Sequence, residues 1–408
     1  MSEEIDKLLS KLESDDPKQR VKAAKRLGQL RERTATEALL TTLQEYPDVE
    51  TRVAVAKALG KIGDRSAATV LIEAYKRDPS LKVKVNAIDA LGKLGAGEAF
   101  EAIMGALVDE DSVRIRTAAA EALGKLNNKA ASEALQRIAR KESSKNLRVE
   151  AIKSLYLLGE RKATPLFREL LTEADKFEIR VEAAKGLGRV GGRGAERPLL
   201  AALEKEKNDA VRAAIVTAIG RIATRTSLES LMNILKSDKN PEVRRCAAWA
   251  LRRIRDKRAS EALLKQLDKE TFEIVKQNII YSLGKQKTRK AVPAIIDVLE
   301  KSKDDEVRRA AAIALGEIND KKAVEPLLTH LEKDPSDEVR KYCAWALGQI
   351  KSINSLDHLK ELLEKESEEK VKEMITMAID GIEEAKRKAE EEARKAEERA
   401  KRDELYYF

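Results

Sequence analysis

Trp249 and Trp345 are the only two tryptophans in a chain of 408 residues, and they stand three periods of 32 apart. Each follows an arginine, Arg244 or Arg340, by five positions, in stretches of similar make-up, PEVRRCAAWALRRIRD and DEVRKYCAWALGQIKS. Tyr281 and Ile313 fill the same place in the two frames between them, and Met377 fills it in the frame after. Large flat side chains at a fixed place in a repeated frame offer two kinds of chemistry without a cofactor. They bury against apolar groups of a protein partner, or they stack on nucleobases while nearby cations hold phosphates. Cations are close in sequence: Lys185, Arg189 and Arg221 precede the first tryptophan, and Arg245, Arg252, Arg253 and Lys285 surround it.

The frame that positions these residues runs the length of the chain. A basic residue is followed seven positions later by an aliphatic, usually with glycine next. This anchor falls at Arg20, Arg52, Lys84, Arg116, Arg148, Arg180, Arg212, Arg244, Lys276, Arg308, Arg340 and Lys372, always 32 apart. Twelve units with no insertion are the signature of a solenoid. Each unit reads as two helices. Four residues before the anchor stands a capping side chain such as Asp16, Asp48, Ser112, Asn240 or Asp304, with Pro17 and Pro241 next at the first helical position. That marks the start of the second helix; stretches such as AVPAIIDVLEKS carry the first.

This pattern resembles HEAT repeats of the PBS-lyase HEAT-like type, over residues 1–382, and AVEPLLTHLEKDPSDEVRKYCAWALGQI matches it well. The resemblance implies an all-α, right-handed alpha-alpha superhelix of twelve helix pairs, with second helices lining a concave groove. Small pairs on those helices, such as Ala23-Ala24 and Ala311-Ala312, and the recurrent glycine also let them approach more closely than the Leu-rich first helices.

On the second helix the residues three, four, seven and ten after the anchor are apolar and define the buried face. The fifth therefore points to the groove. Down the units it reads Lys25, Lys57, Asp89, Glu121, Lys153, Lys185, Thr217, Trp249, Tyr281, Ile313, Trp345 and Met377. The slot is polar in units one to seven and apolar in eight to twelve, where Tyr342 and Met374 border it. Seven units manage without a large apolar group here, so packing does not require one, and an exposed apolar column marks an interaction site. The competing reading folds these side chains back onto neighbouring helices, or covers them with the chain's own C-terminus. The ninth residue forms a basic stripe over units two to nine. Asp89–Lys93 and Glu121–Lys125 neutralise part of it as i,i+4 pairs, which leaves Lys185, Arg189, Arg221, Arg245, Arg253 and Lys285, with Arg252 in the usual glycine position.

The glycine is also replaced by Tyr156 in unit five, where a local change of curvature is expected. From residue 383 the chain reads as a solvated helix laced with i,i+4 pairs, ending in Leu405, Tyr406, Tyr407 and Phe408, which form either a frayed end or an anchor for another protein or another copy.

Composition sets the outer bounds. Aromatics at 3% favour thin aliphatic layers over one globular core, and 80 basic against 71 acidic residues describe a mixed surface with a mild preference for acidic partners. The start has no signal-peptide pattern, no apolar run approaches a membrane span, and Cys246 and Cys343 fit a reducing compartment, so a cytoplasmic location is expected. Cys246 is placed at the groove margin and Cys343 in the core. His330 and His358 form no His-Glu pair, which excludes the di-iron relatives; there is no phosphate loop, dinucleotide fingerprint or nucleophile elbow. The expectation is a non-enzymatic scaffold without metal or cofactor, binding a protein segment that combines apolar and acidic residues, with nucleic acid as the alternative ligand.

Overall fold

The structure, a computed structural model, describes the backbone of residues 2–254 and 256–405 and the side chains of these except 2 and 400–405. Every element among the described residues is helical, and contacts divide the chain into residues 1–218 and 219–408.

In the first unit, α1 (Ser2–Leu12) pairs with α2 (Pro17–Leu30), α3 (Thr36–Glu45) with α4 (Val49–Ile62), α5 (Ala68–Arg77) with α6 (Leu81–Leu94) and α7 (Phe100–Val108) with α8 (Val113–Leu126). There follow α9 (Ser132–Lys141) with α10 (Lys145–Leu157), α11 (Thr164–Glu173) with α12 (Phe177–Val190), and α13 (Glu196–Lys205) with α14 (Asp209–Ile222), whose last turn belongs to the second unit. The second unit holds α15 (Leu228–Ser237) with α16 (Pro241–Arg253), α17 (Lys257–Leu267) with α18 (Glu273–Lys285) and α19 (Val292–Lys301) with α20 (Asp305–Ile318). It ends with α21 (Val324–Lys333) and α22 (Asp337–Ile350), then α23 (Leu356–Lys365) and the long α24 (Glu369–Leu405). The chain is an all-α solenoid with two helices per repeat.

The second helices begin where the capping residues stand. Asn240 accepts the N–H groups of Glu242 and Val243, Asp304 accepts that of Val307, and Pro241 occupies the first turn. Within each unit successive second helices pack on one another more extensively than successive first helices do. Their buried positions are the expected ones: on α20, Ala311, Ala312 and Leu315 are fully buried and Ile318 nearly so. The glycine sets the spacing. A Cβ on Gly316 would stand 2.8 Å from Ala346 Cα, and one on Gly220 2.6 Å from Ala250 Cβ, so neither position has room for a side chain. First helices stand further apart, with clefts between them such as that of Arg168, Leu171, Pro198 and Ala202. At Tyr156 the packing differs: the small residue stands on the partner helix as Gly186, whose space Phe167 fills, and α10 meets α12 less extensively than it meets α8.

The basic anchor is a structural bolt. Arg52, Arg116, Arg180, Arg244, Arg308 and Arg340 each reach the acid 26 residues later, at the end of the next repeat's first helix: Asp78, Glu142, Glu206, Glu270, Asp334 and Glu366. Arg244 also donates to the carbonyls of Asp238 and Lys239, and Glu270 accepts the N–H groups of Thr271 and Phe272. One pair thus closes two loops and joins two repeats. Sequence reading found the cation only as a period marker. In the first repeat the acid's place holds Tyr46; the Arg20 guanidinium lies 4.1 Å from its ring centre and bonds Asp48 instead.

These pairs make stability depend on acid. Burial works against the Glu270 carboxylate, but bonds from Arg244, the Phe272 N–H and Gln266 outweigh it and take its pKa from 4.5 to about 2. Glu142, Glu206, Asp334 and Glu366 are lowered too. A carboxylate with a depressed folded-state pKa stabilises the fold fully above its unfolded pKa, and that contribution is lost as pH falls. The urea midpoint is expected to hold from pH 7 to about 5 and to fall steeply between about 4.5 and 2. Glu270→Gln should be less stable at pH 7 and shed less stability across that window; an equal acid loss in both proteins would contradict the assignment.

Candidate protein-docking face

The expected apolar column lies wholly within the second unit, on α16, α18, α20, α22 and α24. Trp249, Tyr281 and Trp345 are half-buried, as are the flanking Tyr342 and Met374, while Met377 is 65% exposed. Each tryptophan leans toward the preceding repeat. A Cβ on Gly220 would stand 2.7 Å from Trp249 Cζ3, and one on Gly316 2.8 Å from Trp345 Cζ3. Part of each ring is therefore packing, in line with the competing sequence reading, and the other part faces outward. The glycine serves both neighbours, admitting the helix and the ring.

Ile313 is a correction. It is only 6% exposed and contributes no docking surface. Residues Ala310 to Gly316 of α20 are all buried, so at this repeat the packing of the second helix leaves Ile313 no open side. Cys246 also departs from expectation, being buried at 5% exposure, with Sγ 3.8 Å from a Glu242 oxygen and 3.9 Å from an Arg245 nitrogen. Cys343 is in the core, and burial pushes its thiol pKa up.

Most of the cations expected to be unpaired have partners. In the first unit Lys185 bonds Glu182 at 2.7 Å, and the Arg189 guanidinium lies 5.6 Å from the Tyr156 ring centre. In the second unit Arg245 pairs with Glu242, Lys285 with Glu317, and Arg253 lies 5.5 Å from the Trp249 ring centre. The acidic partners sit three residues back or one repeat away, outside the i,i+4 relation, whereas Trp249 lies four residues before Arg253. Arg221 and Arg252 have no ion-pair partner among the described residues.

Two cations on this face escaped sequence reading. Arg309 and Lys341, one residue after their anchors, both approach Tyr342, at 5.7 and 5.2 Å from the ring centre, and pair with Glu306 and Glu338. Basic residues at the first slot of units eight, ten and eleven were the available signal. The face thus alternates half-exposed rings with guanidinium or ammonium groups held against them, an arrangement suited to receiving apolar side chains flanked by carboxylates.

The first unit's equivalent face is polar. Lys125 bridges Glu121 and Asp89 of the preceding repeat, and Lys93 pairs with Asp89. Burial opposes the Asp89 charge, but the two lysines outweigh it and hold the carboxyl below its ordinary pKa. Further on, Tyr156 donates to Glu182, and burial raises the pKa of Glu150 despite Lys153.

Helix α24 runs unbroken through residue 382. Glu383 pairs with Lys360 of α23, and Glu384–Lys388 and Glu391–Lys395 form the expected i,i+4 bridges beyond it. Tyr406, Tyr407 and Phe408, together with the side chain of Leu405, lie outside the described residues. Among the described residues no helix is long and apolar enough to cross a membrane.

Comparison with known proteins places these observations. HEAT repeats match residues 5–84, 70–155, 133–197, 196–284, 260–341 and 292–380. No curated protein matches the chain. Among solved structures it is similar to Kap95p, described as inducing the switch loops of RanGDP to adopt the GTP-bound conformation, with a TM-score of 0.60 and 16% identity over 94% of this chain and 60% of that one. Importin beta is similar at 0.60 and 12%, over 93% and 66%, and Kap95 in a complex with Nup1 at 0.59 and 15%, over 93% and 65%. The chain spans less than two thirds of each of these.

Proposed function

The chain belongs to the HEAT-repeat family, and from that premise we propose that it is a non-enzymatic cytoplasmic scaffold that docks a protein segment on the second-helix face of α16 to α24. The observation that carries this reading is the fifth slot. Polar in every repeat of the first unit, it holds Trp249, Tyr281, Trp345 and Met377 in the second, each with surface left open. Large half-exposed aromatics backed by cations are typical of residues that dominate binding energy. The segment they suit carries apolar side chains with Asp or Glu between them. A phosphate track is less well served, because Lys185, Arg245 and Lys285 are already in ion pairs and Asp89, Glu150 and Glu182 lie on the first unit's equivalent face.

The test is a photo-crosslinking residue placed at Tyr281, with Glu325 on the exposed side of α21 as control position. Recovery of one acidic and apolar segment from position 281 and not from 325 is the expected result. The same yield from both positions, or crosslinks to nucleic acid alone, would overturn it.

A further inference from the structure

The segment chemistry that this face suits is present in the chain itself. Residues 403–408 read Asp403, Glu404, Leu405, Tyr406, Tyr407, Phe408: two carboxylates followed by four apolar or aromatic side chains, in a protein that is only 3% aromatic. Resting on the docking reading above, we propose that the Trp249 end of the face receives residues 403–408 of a second copy of this chain.

Reach decides between the chain's own segment and another copy's. Ile382 is the last fully buried residue of α24, and the helix continues to Leu405. From Met377, the nearest slot of the column, to Leu405 is 28 residues, about 42 Å at the helical rise. Three further residues return at most about 10 Å. While α24 is helical, the segment cannot reach its own Met377, still less Trp249. A second copy meets no such limit.

Length and charge then set the register. Three helical residues rise about 4.5 Å and three more reach at most about 10 Å, so the segment spans one to two spacings of 8–10 Å between packed helices, enough for Trp249 and Tyr281 and short of Trp345. Its carboxylates suit the cations beside Trp249. Arg252 has no ion-pair partner among the described residues, and Arg253 is held against Trp249 rather than by an acid, whereas Arg309 and Lys341 already share Glu306 and Glu338. Asp403 and Glu404 lie over Arg252 and Arg253, and Leu405 to Phe408 run across Trp249 and Tyr281. The contact joins unlike surfaces of the two copies, so the rotation between copies sets whether they exchange segments in a closed assembly or extend as an open chain.

Sedimentation velocity over a concentration series tests this on the full chain. Five proteins are compared: wild type, a chain ending at Arg402, Arg252→Glu/Arg253→Glu, Asp403→Lys/Glu404→Lys, and the last two combined. Wild type should gain mass with concentration. The shortened chain and each charge-reversed pair should stay monomeric, with association at least tenfold weaker, and the combination should recover it. The substituted side chains lie on the surface or in the terminal segment, and unchanged helix content by circular dichroism confirms folding. A wild type that is monomeric up to about 100 µM, association that survives removal of 403–408, or a combined variant that stays apart would each overturn the proposal. If wild type is monomeric yet binds the crosslinked foreign segment in a Trp249-dependent way, the docking reading stands and this inference falls. If it binds neither, both fall.

Discussion

Arg308→Met is expected to destabilise the second unit by about 3–5 kcal/mol, the range for breaking one side of a buried ion pair. The guanidinium holds both oxygens of Asp334, at 2.7 and 2.9 Å, and donates to the carbonyls of Ser302 and Lys303. Asp334 also accepts the Ser336 N–H and lies 3.0 Å from His330 Nδ1, and its side chain is 1% exposed. Methionine would leave that carboxylate buried with its main counter-charge gone. Repeats contact only their neighbours, so the damage should be local. Hydrogen exchange should speed up in α20 to α22 and change little in α16. Lys276→Met is the internal control: the acid's place is Ser302 there, and the lysine pairs with the partly exposed Glu273, so it should cost less than about 1 kcal/mol. Equal effects of the two substitutions would show that the bolt is not what joins the repeats.

Much of this architecture was legible because it is local or strictly periodic. The caps, the two helices per unit, the buried face of Ala311, Ala312 and Leu315, and the close glycine all follow from spacing within one helix or one period. The Arg308–Asp334 pair was not visible for a physical reason. Its partner is 26 residues away across two loops, and the acid varies between Asp and Glu, with Tyr46, Ala174 and Ser302 in its place elsewhere. At the candidate site the helical wheel gave the side of the helix on which a residue lies but not what packs there, and it put the buried Cys246 at the groove margin. Trp249, Tyr281 and Trp345 stand half-buried on the face it pointed to, while Ile313 in the same slot is buried, which periodicity within one helix does not reveal. Lys285 looked unpaired only because its partner, Glu317, occupies the same slot one period later.

The second large effect is on binding. Trp249→Ala and Trp345→Ala should each weaken capture of the crosslinked segment by about 2–4 kcal/mol, roughly 30- to 700-fold in Kd. Both rings also pack against a neighbouring glycine, so each substitution should cost about 1–3 kcal/mol of stability, and binding is to be measured far below the unfolding transition. Ile313→Ala separates the two effects. Its side chain is buried and off the docking surface, so it should lose stability while leaving Kd per folded molecule within about threefold.

The chain's own tryptophans report most directly on the central claim, since both stand on the proposed face. The measurement is acrylamide quenching of intrinsic fluorescence as a synthetic, tryptophan-free peptide of the crosslinked segment is added. A saturable shift in emission and a fall in quenching are expected, with the same Kd as anisotropy of the labelled peptide. Binding by anisotropy that leaves emission and quenching unchanged would contradict the central claim, and would place the docking site somewhere other than the face of Trp249 and Trp345.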